Sequence, residues 1–323
     1  MGQGLAGTCL AWELWKRGVA FLLVDRETRG SSRIAAGLVN PVTGKNFEPS
    51  AQITGFLPEA LDFYADIESR IAAKLWHPLP VLRLAETEKE WRKMLAKAQL
   101  PHVARWLAND GPPMPAEGWA GALEVTGGGR LDTRAFLDES REFFRQRGLY
   151  QKRVVPDDSG PESRILCEGA AGLMKGTFGP HRCAKGEILT IAAHDWDETR
   201  IRIGAGGWLV PLGNGVFKAG STYVWDPLDE LPTEAGKTKI LEIARRLGGG
   251  GFEILAHEAG IRPILRRSEP LIGPVGDGRW MFNGLGSKGT LYAPGMARRL
   301  ARWLAEGAEP EPEFDIRHFR DVR

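Results

Sequence analysis

Leu10 and Leu14 stand four apart in a stretch from Leu5 to Arg17, and Gly18 follows it. That spacing predicts an opening helix with Gly18 as its C-terminal stop. The next run, Val19 to Asp25, is unbroken apolar sequence ending in an acid, which predicts a buried strand. From Phe56 to Leu75 the positions Leu57, Ala60, Leu61, Tyr64, Ile67 and Ile71 keep helical spacing, and a shorter helix carries Trp91 and Leu95. Residues 110–129 are rich in Pro and Gly and predict a long loop. Asp132 then reads as the N-cap of a helix that Gly148 ends. Ile165 to Gly169 predicts a short buried strand.

The pattern turns strand-like in the next third. Segments 186–190 and 207–211 read as strands, and Gly213-Asn214-Gly215 as a hairpin turn into 216–222. A helix near 234–247 places Ile240, Ile243, Ala244 and Leu247 on one face. A last amphipathic helix carries Met296, Leu300, Trp303 and Leu304. The polar tail after Glu306, with Glu309-Pro310-Glu311-Pro312, predicts a surface strap.

Composition narrows the class. The chain has 323 residues, beyond the size at which one core usually stops growing, so one large or two interlocked domains are expected. Apolar residues make up 42% and charged residues 26%, which excludes a disordered chain and a coiled coil. No window of about 18 apolar residues is present, so no membrane span is expected. The net charge of +2 argues against a nucleic-acid partner. Cys9, Cys167 and Cys183 form no CxxC, and no signal peptide is readable, so a cytoplasmic setting is expected. The six histidines show no HxxxH or HxH, and no GxSxG occurs, so neither a metal nor a hydrolase elbow is expected.

Chemistry concentrates at the two ends. Gly2-Gln3-Gly4-Leu5-Ala6-Gly7 is a GxGxxG, and Asp25 follows Gly7 by eighteen residues, near the spacing of a ribose-binding carboxylate. The glycines let backbone approach a pyrophosphate, and the helix N-terminus offers free N–H groups. The motif departs from the usual unit because no strand is readable before Gly2. The sheet is expected to be either N-terminally shortened or built with one strand fewer.

After the second strand comes Ser31-Ser32-Arg33-Ile34-Ala35-Ala36-Gly37-Leu38-Val39-Asn40-Pro41. It resembles the segment with which the D-amino-acid oxidase and glycine oxidase family wraps FAD. Two later blocks fall in the order that family requires. Ala259-Gly260-Ile261-Arg262-Pro263 with Glu269–Pro274 is similar to the strand bearing a substrate-binding arginine and the strand returning to the FAD domain. Asn283-Gly284-Leu285-Gly286-Ser287-Lys288-Gly289-Thr290 is similar to the turn under the flavin pyrimidine ring. The resemblance runs from Gly2 to about Phe319, with only general pattern between Phe47 and Gly127.

The resemblance implies an α/β fold with α+β elements. It consists of a Rossmann-like FAD-binding domain lacking its first strand, and an interleaved antiparallel-sheet substrate domain. The FAD-binding domain takes 1–46, 127–183 and 258–323, and the substrate domain 47–126 and 184–257. FAD is expected to be non-covalent, since no cysteine lies in sequence near Arg262 or the last glycine turn. Its implied contacts are Gly2, Gly4, Leu5, Ala6, Gly7, Asp25, Arg26, Ser31, Ser32, Ala36, Gly37, Val154 and Gly169. Toward the ring they are Gly284, Gly286, Ser287, Lys288, Gly289 and Thr290. Arg262 would hold a substrate carboxylate with two parallel hydrogen bonds. Trp208 replaces a tyrosine of glycine oxidase, and Tyr223 would line the site instead.

The implied reaction oxidises the C–N bond of a small amino acid or secondary amine carrying a carboxylate. Hydride passes to flavin N5, and water hydrolyses the imine. Dioxygen or another acceptor takes the electrons. An alternative is a tRNA-modifying flavin oxidase acting on a carboxymethylamino-uridine, because the 284–289 turn also looks like that of the bifunctional tRNA methylaminomethyl-thiouridine enzyme. Arg298, Arg299 and Arg302 on the last helix would then contribute a basic patch. A third reading is a catalytically impaired FAD-binding protein. The oligomeric state is not readable.

Overall fold

The computed structural model describes residues 1–108, 118–156, 163–176, 178–265 and 269–319. The opening helix is Leu5–Lys16, and Gly18 follows it with φ +66°. This helix is apolar nearly all round and is buried accordingly. Trp12 is fully buried beside Phe143 and Phe144, and its Nε1 donates to Ser140 Oγ at 2.8 Å. The last helix, Gly289–Glu306, packs against it and against the helix Ile53–Ile71, and all three share one core. Asp132 caps Thr133–Gln146 as expected, its Oδ1 accepting from Ala135 N at 2.9 Å, and Gly148 leaves that helix at φ +68°.

The strand expected over 19–25 is confined to Leu23–Asp25, paired in parallel with Tyr150–Lys152. Its first half has no neighbour to pair with, and Leu22 is exposed. A second, three-stranded sheet runs in the order Arg164–Leu166, Arg279–Asn283, Leu271–Gly276. No strand among the described residues lies between these two sheets. Among the described residues, Met1 and Gly2 bridge the gap. Gly2 N donates to Val24 O at 2.8 Å on one side. On the other, the Met1 amino group donates to Ile165 O at 2.6 Å and Cys167 N donates to Met1 O at 2.8 Å.

The largest sheet among the described residues has seven strands. Their order is Glu253–Arg262, Ala184–Ala192, Val216–Gly220, Gly207–Gly213, Ile201–Gly204, Val81–Ala85, Gly121–Val125. It is mixed rather than purely antiparallel, because Ile201–Gly204 runs parallel to Val81–Ala85. The helix Glu234–Gly248 covers one face. The expected boundary at 258 falls inside the strand Glu253–Arg262.

The expected loop 110–129 is only partly a loop. Residues 109–117 lie outside the described residues, while Gly121–Val125 and Gly129–Leu131 are strands. Their glycines serve close packing: a Cβ on Gly121 would sit 2.4 Å from the Trp91 ring, and one on Gly129 2.5 Å from Trp76. The tail is more than a surface strap, since its own Phe314 and Ile316 are buried.

Candidate active site

Gly2 has φ +99°, and a Cβ there would meet Cys167 O at 2.4 Å. A Cβ on Gly7 would sit 1.8 Å from Gly2 O. Glycine at both positions therefore lets the helix start press against the strand ends. Gly4 is the N-cap and supplies no side chain, so the N-terminal N–H groups stay largely free; only Leu5 N reaches Ser32 Oγ, at 3.3 Å. Asp25 is fixed at the strand end, its Oδ1 accepting from Gln3 N at 3.1 Å and its Oδ2 from Glu27 N at 2.8 Å.

Two clefts meet at this helix start and share Gly4, Ser31, Ser32, Cys167 and Gly169. The outer one is lined by Gly2, Asp25, Arg26, Arg29, Val154 and Glu230 among others. The inner one is lined by Leu5, Ala6, Ala36, Gly37, Trp208, Arg262, Gly286, Ser287, Gly289 and Thr290. The sequence-predicted residues thus converge on one continuous trough. Four do not line it. Gly7 and Gly284 act through packing, with a Cβ on Gly284 meeting Leu265 at 2.5 Å. Lys288 is the N-cap of the last helix and is half-buried, which pushes its amine down. Tyr223 stands outside the wall, 47% exposed, with its ring centroid 4.9 Å from the Arg262 guanidinium.

Arg262 ends its strand opposite Ala184, and its side chain folds back over Gly186. A Cβ on Gly186 would sit 2.1 Å from Nη2, so glycine is what makes room for the guanidinium. Nη2 donates to Ser221 Oγ at 2.7 Å and Thr222 O at 3.1 Å, and Nη1 to Lys185 O at 3.2 Å. Burial lowers its pKa, yet no carboxylate among the described residues lies within ion-pair distance. A largely buried cation held by neutral oxygens at the wall of a cavity is suited to receive an anion from the cavity.

Sequence reasoning missed Gly186, Ile188, Ser221, Asn283 and Cys167, which also line the inner cleft. Gly186 faces Gly260 across the ladder, so a pair of strand glycines was the available signal. Asn283 Oδ1 accepts from Gly284 N at 2.8 Å and its Nδ2 donates to Gly169 O at 2.9 Å, tying the last glycine turn to the sheet end. Cys167 reaches this cleft although in sequence it lies far from Arg262 and the last glycine turn. Burial raises its pKa to about 11, so the thiol stays protonated and is a poor nucleophile toward a flavin.

The residues fit FAD on two observations. The trough runs unbroken from a carboxylate at a strand end, past a helix N-terminus without a side-chain cap, to a second such helix start. Its walls include glycines whose backbone packs so closely on a neighbouring segment that a Cβ would collide with it; Gly37, at φ +66°, would place one 1.9 Å from Leu131 O.

Comparison with known proteins agrees. The family model described as FAD dependent oxidoreductase, abbreviated DAO, matches residues 1–303. Glycine oxidase from Geobacillus kaustophilus superposes with a TM-score of 0.79 at 20% identity, covering 96% of this chain and 94% of that one. Iminodiacetate oxidase from Chelativorans sp. BNC1 gives 0.77 at 17% identity, covering 96% and 95%. A curated relative is the tRNA 5-methylaminomethyl-2-thiouridine biosynthesis bifunctional protein of Burkholderia pseudomallei (strain 668). It is 25% identical over 318 residues, 86% of this chain and 48% of that protein. The chain spans about half the length of the curated relatives it matches. No helix among the described residues is long and apolar enough to cross a membrane. With a glycine-walled trough that fits FAD and a family match over most of its length, the chain belongs to the DAO family of FAD-dependent oxidoreductases.

Proposed function

We propose that the chain oxidises the C–N bond of a small amine or amino acid bearing a carboxylate, which Arg262 anchors. The observation that carries this reading is the largely buried Arg262 guanidinium, aimed at the inner cleft with no carboxylate of its own. Bound FAD supplies the two-electron acceptor. The chain's own residues do the positioning. Ser221 Oγ and the carbonyls of Lys185 and Thr222 fix the guanidinium plane and take three of its five N–H groups, so a substrate carboxylate is oriented by the N–H groups that remain. Trp208 lines the same cleft as the small residues Ala36 and Gly37, and its bulk would exclude water from the substrate pocket. FAD is held without a covalent bond, in keeping with the protonated Cys167. In this reading 1–46, 127–183 and 258–323 hold the cofactor and 47–126 and 184–257 shape the substrate pocket. Three free thiols support a cytoplasmic setting.

The test is a screen of glycine, sarcosine, proline, iminodiacetate and D-amino acids with added FAD, scored for imine product and for peroxide. Arg262→Ala should raise KM for the carboxylate substrate roughly 100-fold or more, since one partner of a buried ion pair is lost (about 3–5 kcal/mol). An unchanged KM would sink the assignment.

A second reading, oxidation of a carboxymethylamino group on tRNA, draws on the curated relatives and on an aromatic rim. Tyr223 and Trp225 are about half exposed, 5.0 Å apart, with Arg182 over Trp225. The last helix supports it poorly: Arg299 is ion-paired with Glu59 and Glu311, and Arg302 with Glu306. Turnover of modified tRNA with a steep salt dependence would favour it.

A further inference from the structure

We propose that Lys218 is a positioning residue that turns the Ala36 N–H group toward the flavin ring. Lys218 lies on the strand Val216–Gly220 and is only 9% exposed. Its Nζ donates to Ile34 O at 2.6 Å and Ala35 O at 3.2 Å. No carboxylate among the described residues lies within ion-pair distance of it. An ammonium buried without a counter-ion is costly, so what it holds is the informative part.

It holds a partition. Ala35 and Ala36 line the inner cleft on one side and, on the other, a second cavity whose wall includes Lys218. The chain is one backbone thick there. The Ala35–Ala36 peptide is trans, so its C=O and N–H point in opposite directions. Lys218 binds the C=O from the far cavity, with Thr133 Oγ1 donating to the same oxygen at 3.3 Å, which directs the Ala36 N–H away from Lys218 and into the cofactor cleft. Neither Ala36 N nor Gly37 N has a hydrogen-bond partner among the described residues. The charge-assisted bond also polarises the peptide and strengthens that N–H as a donor. Two residues beyond Lys218, Gly220 lies beneath Trp208, where a Cβ would meet the ring at 2.9 Å. One strand therefore ties the cofactor-facing segment to the substrate wall.

This inference rests on the proposed function and on the flavin ring lying in the inner cleft, along the wall that Ala36 and Gly37 form. Apoprotein reconstituted with FAD tests it. Lys218→Met should raise the FAD Kd about tenfold, the worth of a hydrogen bond to a charged group, and shift the potential of the bound flavin negative. Replacing a purely structural lysine would change thermal stability without moving the potential. In the wild type, FAD should slow amide exchange at Ala36. A Kd within twofold of wild type with an unchanged potential would overturn the proposal, as would FAD binding that leaves Ala36 exchange unaltered. If Lys218→Met does not fold, the wild-type exchange result decides alone. Ala36→Leu checks the placement separately: FAD binding as tight as wild type would remove the ring from this wall, whatever Lys218 does.

Discussion

Lys218 sets a pH dependence that belongs to a single side chain. Burial is the largest cause that pulls its pKa down to about 8; Glu258 and Asp132 oppose the fall, while Arg134 and Arg130 add to it. His257 lines the same cavity and is paired with Glu187 at 2.9 Å. Below pH 8 the lysine is protonated in both the folded and the unfolded chain, and its contribution is flat and unfavourable. Between about pH 8 and 10 the unfolded chain keeps a proton that the folded chain has released, so stability rises with pH. Relative to Lys218→Met, the wild type should gain roughly 2–3 kcal/mol from pH 7 to 10, measured by denaturant unfolding. The same residue shows why site residues divide into legible and hidden. Arg262 stands between Ala-Gly and Pro in a recognisable block. Lys218 takes its meaning from Ile34, 184 positions away, and Ser221 from Arg262, 41 positions away. Neither partner leaves a mark in local sequence.

Secondary-structure elements were legible where their signals are local. The Asp132 cap and the Gly148 stop both lie within the helix they bound. Asp132→Ala should cost about 1 kcal/mol in thermal or denaturant unfolding, because Ala135 N loses its acceptor. Gly121–Val125 was hidden because a strand at a sheet edge is defined by its neighbour, and its Gly-rich surroundings carry the signature of a loop. The strand expected over 19–25 failed the other way. Its apolar sequence is strand-like, yet without a partner beside Val19 to Leu22 no ladder forms there.

Across the whole molecule, the cofactor-side sheet is interrupted between Val24 and Ile165, and the two halves are held by the three backbone hydrogen bonds of Met1 and Gly2. Both facing edges have backbone groups that a strand between them would satisfy. Adding about six apolar, β-branched residues ahead of Gly2 should therefore raise the melting temperature by several degrees and tighten FAD binding. Equal values with and without the addition would show that the two-residue bridge suffices. The trough crosses this same interruption, with Gly2 and Asp25 on one bank and Cys167 and Gly169 on the other. A dinucleotide lying along it acts as a fastening between half-sheets, and its binding energy adds to the stability of the fold. Added FAD should therefore slow limited proteolysis of the chain, and cleavage at the same rate with and without it would show that the dinucleotide does not fasten the two sheets.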